Sequence, residues 1–205
     1  MKLYFSPGAC SLSPHIALSE SGLKFDLVQV DLKAHKTKSG DDFYKINPNG
    51  YVPALQTDDG HVLTEGPAIV QYIADKAAGK KLAPANGSFE RYHLQEWLNF
   101  ISTELHKGFS PLFNPATPDA MKQPIKDKLL NRFTYVDKQL AGKQYLLGND
   151  FSVADGYLFT MCQWAAFMQV PVDTLPNLKA WRERVAARPA VQAALKAEND
   201  ARKAA

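Results

Sequence analysis

Lys2 to Phe5 is a short apolar run that stops at Pro7-Gly8, so it reads as a strand closed by a turn. Ser13 to Ser21 has helical spacing and ends at Gly22, a good residue just past a helix. Phe25 to Leu32 alternates apolar and polar positions, as a half-buried strand does. Strand, helix, strand in that order implies a right-handed parallel crossover. After an irregular segment with a short helix come two more strands, Val52 to Thr57 and His61 to Thr64, around Asp58-Asp59-Gly60. Asp-Gly between apolar alternations predicts a hairpin. Glu65-Gly66-Pro67 then opens a helix that carries Ile69, Val70, Tyr72 and Ile73, with Pro in its first turn.

Beyond this point the period changes to helical throughout. Residues 81–87 are polar with Pro and Gly and read as a linker between a mixed domain, 1–80, and an all-helical domain, 88–205. The first helix of that domain runs from Ser88 towards Phe109, with Leu94, Trp97, Leu98, Ile101 and Leu105 on its apolar stripe. Asn99, Thr103 and His106 fall at i, i+4 and i+7, a polar stripe beside it. Further helices are predicted at 119–141, 152–169, 177–187 and 189–198. Ser152-Val153-Ala154-Asp155 is a capping box with Asp in place of the usual Glu or Gln. The position that would staple Phe151 is Gly156, and a helical Gly costs about 1 kcal/mol against Ala, which weakens this helix start.

Composition narrows the classes of function. The 205 residues are 45% hydrophobic and 22% charged, and 24 basic against 21 acidic side chains leave a net charge of +3. That near balance, spread along the chain, argues against nucleic acid or an anionic membrane as the partner. No apolar run approaches the roughly 20 residues that span a bilayer, and the first residues do not read as a signal peptide. Two cysteines are too few for a disulfide framework, so a reducing cytoplasm is the expected compartment. No metal cluster, phosphate loop or dinucleotide fingerprint stands in the sequence.

The two cysteines lie in different settings. Cys162, between Phe159 and Trp164, reads as core packing. Cys10 lies between the first strand and a strongly signalled helix start, where Ser11 and Ser13 suit an N-cap and Pro14 the first turn. Free backbone N–H groups and the positive end of a helix dipole favour thiolate over thiol there, and thiolate is the reactive form.

Four segments in order, Tyr4 to Pro14, Asn47 to Leu55, Leu63 to Ile69 and Ser152 to Asp155, together with His106, resemble the glutathione transferases, and the bacterial beta class among them. The resemblance runs from Met1 to about Glu198. It implies an α/β plus all-α architecture: a thioredoxin-like N-terminal domain, then an all-helical domain with a hydrophobic substrate site. It also implies a homodimer, with glutathione as co-substrate and no metal. Val52, before a cis Pro53, would pair with the cysteinyl backbone of glutathione. Glu65 and Gly66 would take the γ-glutamyl end at a helix N-terminus. Many relatives carry a serine where this chain has Gly66, which implies weaker binding. His35 stands where the class often has a lysine at the glycyl end, which would make that contact pH-dependent. Cys10 and His106 are the expected catalytic pair. Asn99 and Thr103 share the histidine's helix face, and Glu104 would reach across the dimer to the ligand. Lys107 could add positive potential. Other classes of the family use tyrosine or serine, which brings Tyr4 and Ser11 into comparison; Tyr4 alternates with Phe5 onto the opposite face of the strand, and Ser11 could donate to a sulfur if Cys10 is dispensable.

The expected chemistry is conjugation of glutathione to an electrophile, reductive dehalogenation, or exchange of a glutathione mixed disulfide through Cys10. The alternative is a non-catalytic binder of glutathione and hydrophobic ligands, with Trp97, Trp164, Phe109 and Phe113 lining its cleft. A protein that merely keeps the fold is a third reading.

Overall fold

The computed structural model describes residues 1–77 and 79–204; Ala78 and Ala205, within the expected domains, lie outside the described residues. The chain forms two compact units, one of residues up to Ala83 together with the segment from Arg188 onward, the other Pro84–Ala187.

The first unit is built on a five-stranded sheet in the order β3-β2-β1-β4-β5. Its elements are β1 (Lys2–Phe5), α1 (Leu12–Ser21), β2 (Asp26–Asp31), β3 (Lys36–Thr37), a 3-10 turn (Phe43–Lys45), β4 (Ala54–Gln56), β5 (Val62–Thr64) and α2 (Gly66–Lys76). β1 and β2 are parallel, as the crossover requires, and the remaining pairs are antiparallel. Gly22 ends α1 in the left-handed region at φ 71°, which an L side chain enters only at a cost. Alternation along β1 sends Tyr4 to one face, where it packs with Val30, Phe43, Val52 and Ala54. Phe5 points to the other face, against His15 of α1, with ring centroids 6.1 Å apart. The two-residue strand β3 inside the irregular segment was not expected; so short a strand carries no period to read.

A last helix, α8 (Pro189–Lys203), packs against α1 in this unit. The sequence grouped it with the helical half. Two polar ties explain the difference. Arg188 makes a bidentate pair with Glu20 at 2.6 and 2.8 Å. Glu198, only 3% exposed, accepts from the Gly8 N–H at 2.8 Å and faces His15 Nδ1 at 3.3 Å. Gly8 has φ +81°, a backbone region that favours glycine, and a Cβ there would meet the movable end of the Arg202 side chain.

The second unit is helical: α3 (Phe89–Phe100), a π-helical segment (Ile101–His106), α4 (Lys107–Phe113), α5 (Asp119–Leu140), α6 (Val153–Phe167), a 3-10 turn (Val172–Thr174) and α7 (Pro176–Ala186). Ser88 caps α3 by accepting from the Arg91 N–H at 3.2 Å. Asp137 of α5 caps α7 by accepting from the Leu178 N–H at 2.8 Å. The expected capping box at the start of α6 is present in both halves. Among the described residues, no helix is long and apolar enough to cross a membrane.

Candidate active site

Strand pairing brings the candidate residues of the first unit together. β4 runs antiparallel to both β1 and β5, with Ala54 opposite Tyr4 and Thr64. The residues just before β4, just after β1 and just after β5 therefore come to one end of the sheet. Those are Val52-Pro53, the loop to Cys10, and Glu65-Gly66. The Val52–Pro53 peptide bond is cis. The half-buried Cys10 donates its S–H to the Val52 carbonyl oxygen at 3.4 Å. Cys10 also holds the start of α1, since its carbonyl accepts from the Ser13 N–H at 3.1 Å.

Glu65 precedes α2 with φ 65° and ψ 114°, a conformation that costs a non-glycine residue on the order of 1–3 kcal/mol and is often kept at binding sites. Its carbonyl accepts from the Ala68 and Ile69 N–H groups, both at 3.0 Å, and its side chain is exposed. First-turn N–H groups have no acceptor within their own helix, and Pro67 has no N–H. The Gly66 N–H is thus the donor this helix end offers to an anion. His35, at φ 51°, lies in the left-handed region and stacks on Tyr44 with centroids 4.5 Å apart. Its Nδ1 is buried without a partner, which leaves Nε2 as the nitrogen that can meet a ligand.

The alternatives to Cys10 are otherwise engaged. Ser11 is fully buried, and its hydroxyl donates to the Ser6 carbonyl and accepts from the Ser6 N–H, both at 3.2 Å. Tyr4 donates to Gln56 Oε1 at 3.2 Å, and burial, aided by the Asp41 charge, holds its phenol above the usual value. Burial pushes the Cys162 thiol up to about 12, so that cysteine is inert packing.

In the second unit the π segment changes the expected geometry. Its i→i+5 pattern takes in about one extra residue, which turns later side chains by roughly 100° relative to a straight α-helix. Asn99, Thr103 and His106 therefore do not form the simple stripe that α spacing gives. The Thr103 hydroxyl donates to the Asn99 carbonyl at 3.0 Å. Glu104 accepts from Arg132 Nε at 2.6 Å within its own chain. His106 Nδ1 lies 2.6 Å from the Tyr157 hydroxyl, and its ring meets Trp164 edge-on at 4.9 Å. Burial, with the Lys107 charge next, pushes the His106 imidazole down to about 4, so it is neutral at physiological pH. Of the four aromatic residues expected along a cleft, Phe109 is fully buried core and Trp97 is 9% exposed beside Phe100 and Tyr135. Trp164 packs with both Phe109 and Phe113, and the latter is 45% exposed. Sequence reasoning missed Tyr157; the available signal was a tyrosine in a buried helix, whose hydroxyl needs a partner.

Two family descriptions match the chain: glutathione S-transferase, N-terminal domain, over residues 1–75, and glutathione S-transferase, C-terminal domain, over residues 100–189. The chain belongs to the glutathione S-transferase family. Glutathione S-transferase GstA of Escherichia coli O157:H7 is 47% identical over 198 residues, covering 97% of this chain and 98% of the relative. The solved ternary complex of BphK, a bacterial GST, is 61% identical with a TM-score of 0.94, over 97% of this chain and 100% of that one. A bacterial beta-class enzyme from Sphingomonas chungbukensis is 50% identical with a TM-score of 0.93, over 97% and 98% of the two chains. These likenesses place the chain with the bacterial beta class.

Proposed function

We propose that this glutathione transferase binds glutathione along Val52, Glu65 and Gly66 and exchanges glutathione mixed disulfides through Cys10. The observation that carries the reading is the Cys10 sulfur, 3.4 Å from the Val52 carbonyl at the sheet end where α2 begins. A solved sphingomonad relative, 51% identical with a TM-score of 0.94 over 97% of this chain and 99% of that one, is complexed with glutathione, which supports the same ligand here.

In the exchange, the Cys10 thiolate attacks the glutathione sulfur of a mixed disulfide. The S–S bond breaks, and the other thiol leaves as thiolate and takes a proton from water. A second glutathione thiolate attacks the Cys10–glutathione bond, releasing glutathione disulfide and restoring Cys10. The net change is one mixed disulfide and one glutathione to one thiol and one glutathione disulfide. Conjugation uses only a glutathione thiolate and an electrophilic carbon. The test is turnover of an aryl halide and of a small glutathione mixed disulfide by the wild type. Glutathione-dependent turnover of both is expected; turnover of neither overturns the reading in favour of a binding protein.

Affinity follows from the helix end. A Cβ at Gly66 would meet nothing within 4 Å, and the residue is not in the left-handed region. Gly66→Ser therefore adds a hydroxyl donor without a clash. A hydrogen bond to a charged group contributes about 1.5–3 kcal/mol, so the Kd for glutathione should fall by about ten- to a hundredfold by calorimetry. An unchanged Kd would show that the γ-glutamyl carboxylate does not lie there.

A homodimer and a cytoplasmic setting complete the proposal. Exposed Phe89 and Tyr92 on α3, at 72% and 59%, support the first, and a content of two cysteines, too few for a disulfide framework, supports the second.

A further inference from the structure

We infer that a groove in the first unit, between the ends of β2 and α8, binds a small dicarboxylate with an apolar middle. The inference goes beyond the transferase reading and does not rest on it.

The groove encloses about 530 Å3, within the roughly 300–1,000 Å3 of small-molecule sites. Its lining lies wholly in the first unit: Ser6 and Pro7 after β1, the ends of β2 and β3, and the C-terminal end of α8. Pro7, Val30 and Leu32 give it apolar surface. Leu32 is 37% exposed, so an apolar body laid over it removes that surface from water.

Charge sets the class of ligand. Lys33 and Lys38 line the groove from the sheet side and Arg202 from the helix side. None of the three is in an ion pair among the described residues. Lys38 Nζ donates to the Ala204 carbonyl at 3.4 Å, a long bond that a carboxylate acceptor improves on. Asp31, the acid in the lining, turns onto its own backbone: one carboxylate oxygen accepts from the Lys33 and Ala34 N–H groups at 2.8 and 3.2 Å. Three cations therefore outweigh one engaged acid, and they come from two walls. Two carboxylates on either side of an apolar body match both walls, and a guanidinium takes a carboxylate by two parallel bonds.

The groove is separate from the glutathione residues. In the sheet, β2 and β3 lie on one side of β1, while β4 and β5, whose ends carry Val52 and Glu65, lie on the other. His35 comes from the β2–β3 connection but stacks on Tyr44 and lies against Gly50, where a Cβ would meet its Nδ1 at 2.9 Å. An occupant thus touches the start of the loop to Cys10 and leaves the glutathione residues clear.

The test is calorimetric titration of the full chain with isophthalate, with and without saturating glutathione. Saturable binding is expected, with the Kd unchanged within about twofold by glutathione. Isophthalamide, of the same shape without the charges, should bind at least about tenfold more weakly. Lys38 and Arg202 are exposed, so replacing them leaves the fold intact. Lys38→Gln and Arg202→Gln should each weaken isophthalate binding about fivefold, and together about twenty-fivefold. No binding, equal binding of isophthalamide, displacement by glutathione, or an unchanged Kd in the double variant would each overturn the inference. If glutathione itself does not bind, the transferase reading falls alone, and the isophthalate titrations still decide whether the groove is a site.

Discussion

Asp155→Ala is expected to destabilise the helical unit by about 4 kcal/mol or more, a loss that few single substitutions in any protein reach. The carboxylate is completely buried and serves four donors: the Leu146 N–H and Trp181 Nε1–H on Oδ1, and the Ser152 N–H and hydroxyl on Oδ2. Burial pushes its carboxyl above the usual value, against the pull of those four bonds. Alanine removes the acceptor and strands donors that water cannot reach, at about 1–3 kcal/mol each before relaxation. With folding stabilities of about 5–15 kcal/mol, that is a large share of the whole. For a chain of this size the midpoint of thermal unfolding should drop by roughly 8–16 °C. Asp155→Asn should lose about half as much, because its amide nitrogen opposes one pair of donors while its oxygen still accepts from the other. A shift below about 3 °C for the alanine variant would mean that the donors find other partners.

The candidate site in the first unit was legible as a gathering of three short segments at strand ends, each with its own local signal. Pro7-Gly8, Val52-Pro53 and Glu65-Gly66-Pro67 combine turn chemistry with an adjacent strand or helix, and antiparallel pairing does the rest. The architecture was legible for the same reason: periods of two and 3.6, with Gly22 and Asp59-Gly60 between them. What escaped was set by tertiary contacts. The π segment keeps Ile101 and Leu105 at an apolar spacing that an α-helix also has, so nothing in the pattern marks the extra residue per turn. The last helix has an ordinary amphipathic face; only the pairing of Glu198 with Gly8 and His15, far apart in sequence, shows what that face covers. Glu104 was read as an outward-reaching acid, yet Arg132 lies close enough to pair with it at 2.6 Å. Ser11 looked like a possible sulfur donor because other classes of the family use a serine; here its hydroxyl makes two bonds to the Ser6 backbone.

Cys10→Ala should abolish mixed-disulfide turnover, by roughly a thousandfold or more, while aryl halide conjugation stays within a fewfold of the wild type. The asymmetry follows from what each reaction asks of the residue. Exchange passes through a covalent bond to the cysteine sulfur, and no other side chain near it can replace that bond. Ser11 is buried and engaged, and Cys162 is completely buried with its thiol pushed up to about 12. Conjugation needs the tripeptide held at Val52 and at the start of α2, neither of which is a function of the thiol. The variant also loses the Cys10 hydrogen bond to Val52, 3.4 Å long, which leaves that carbonyl open to the backbone of the bound peptide. A small gain in glutathione affinity would agree with this. Cys10→Ser separates the two effects, since a hydroxyl keeps a donor towards Val52 but cannot form the disulfide: exchange should vanish as in the alanine variant, and affinity should stay at the wild-type value. Steady-state assays with both substrates check the result. Loss of conjugation together with exchange would mean that Cys10 acts on the glutathione thiol itself, and survival of exchange would remove the covalent intermediate from the mechanism.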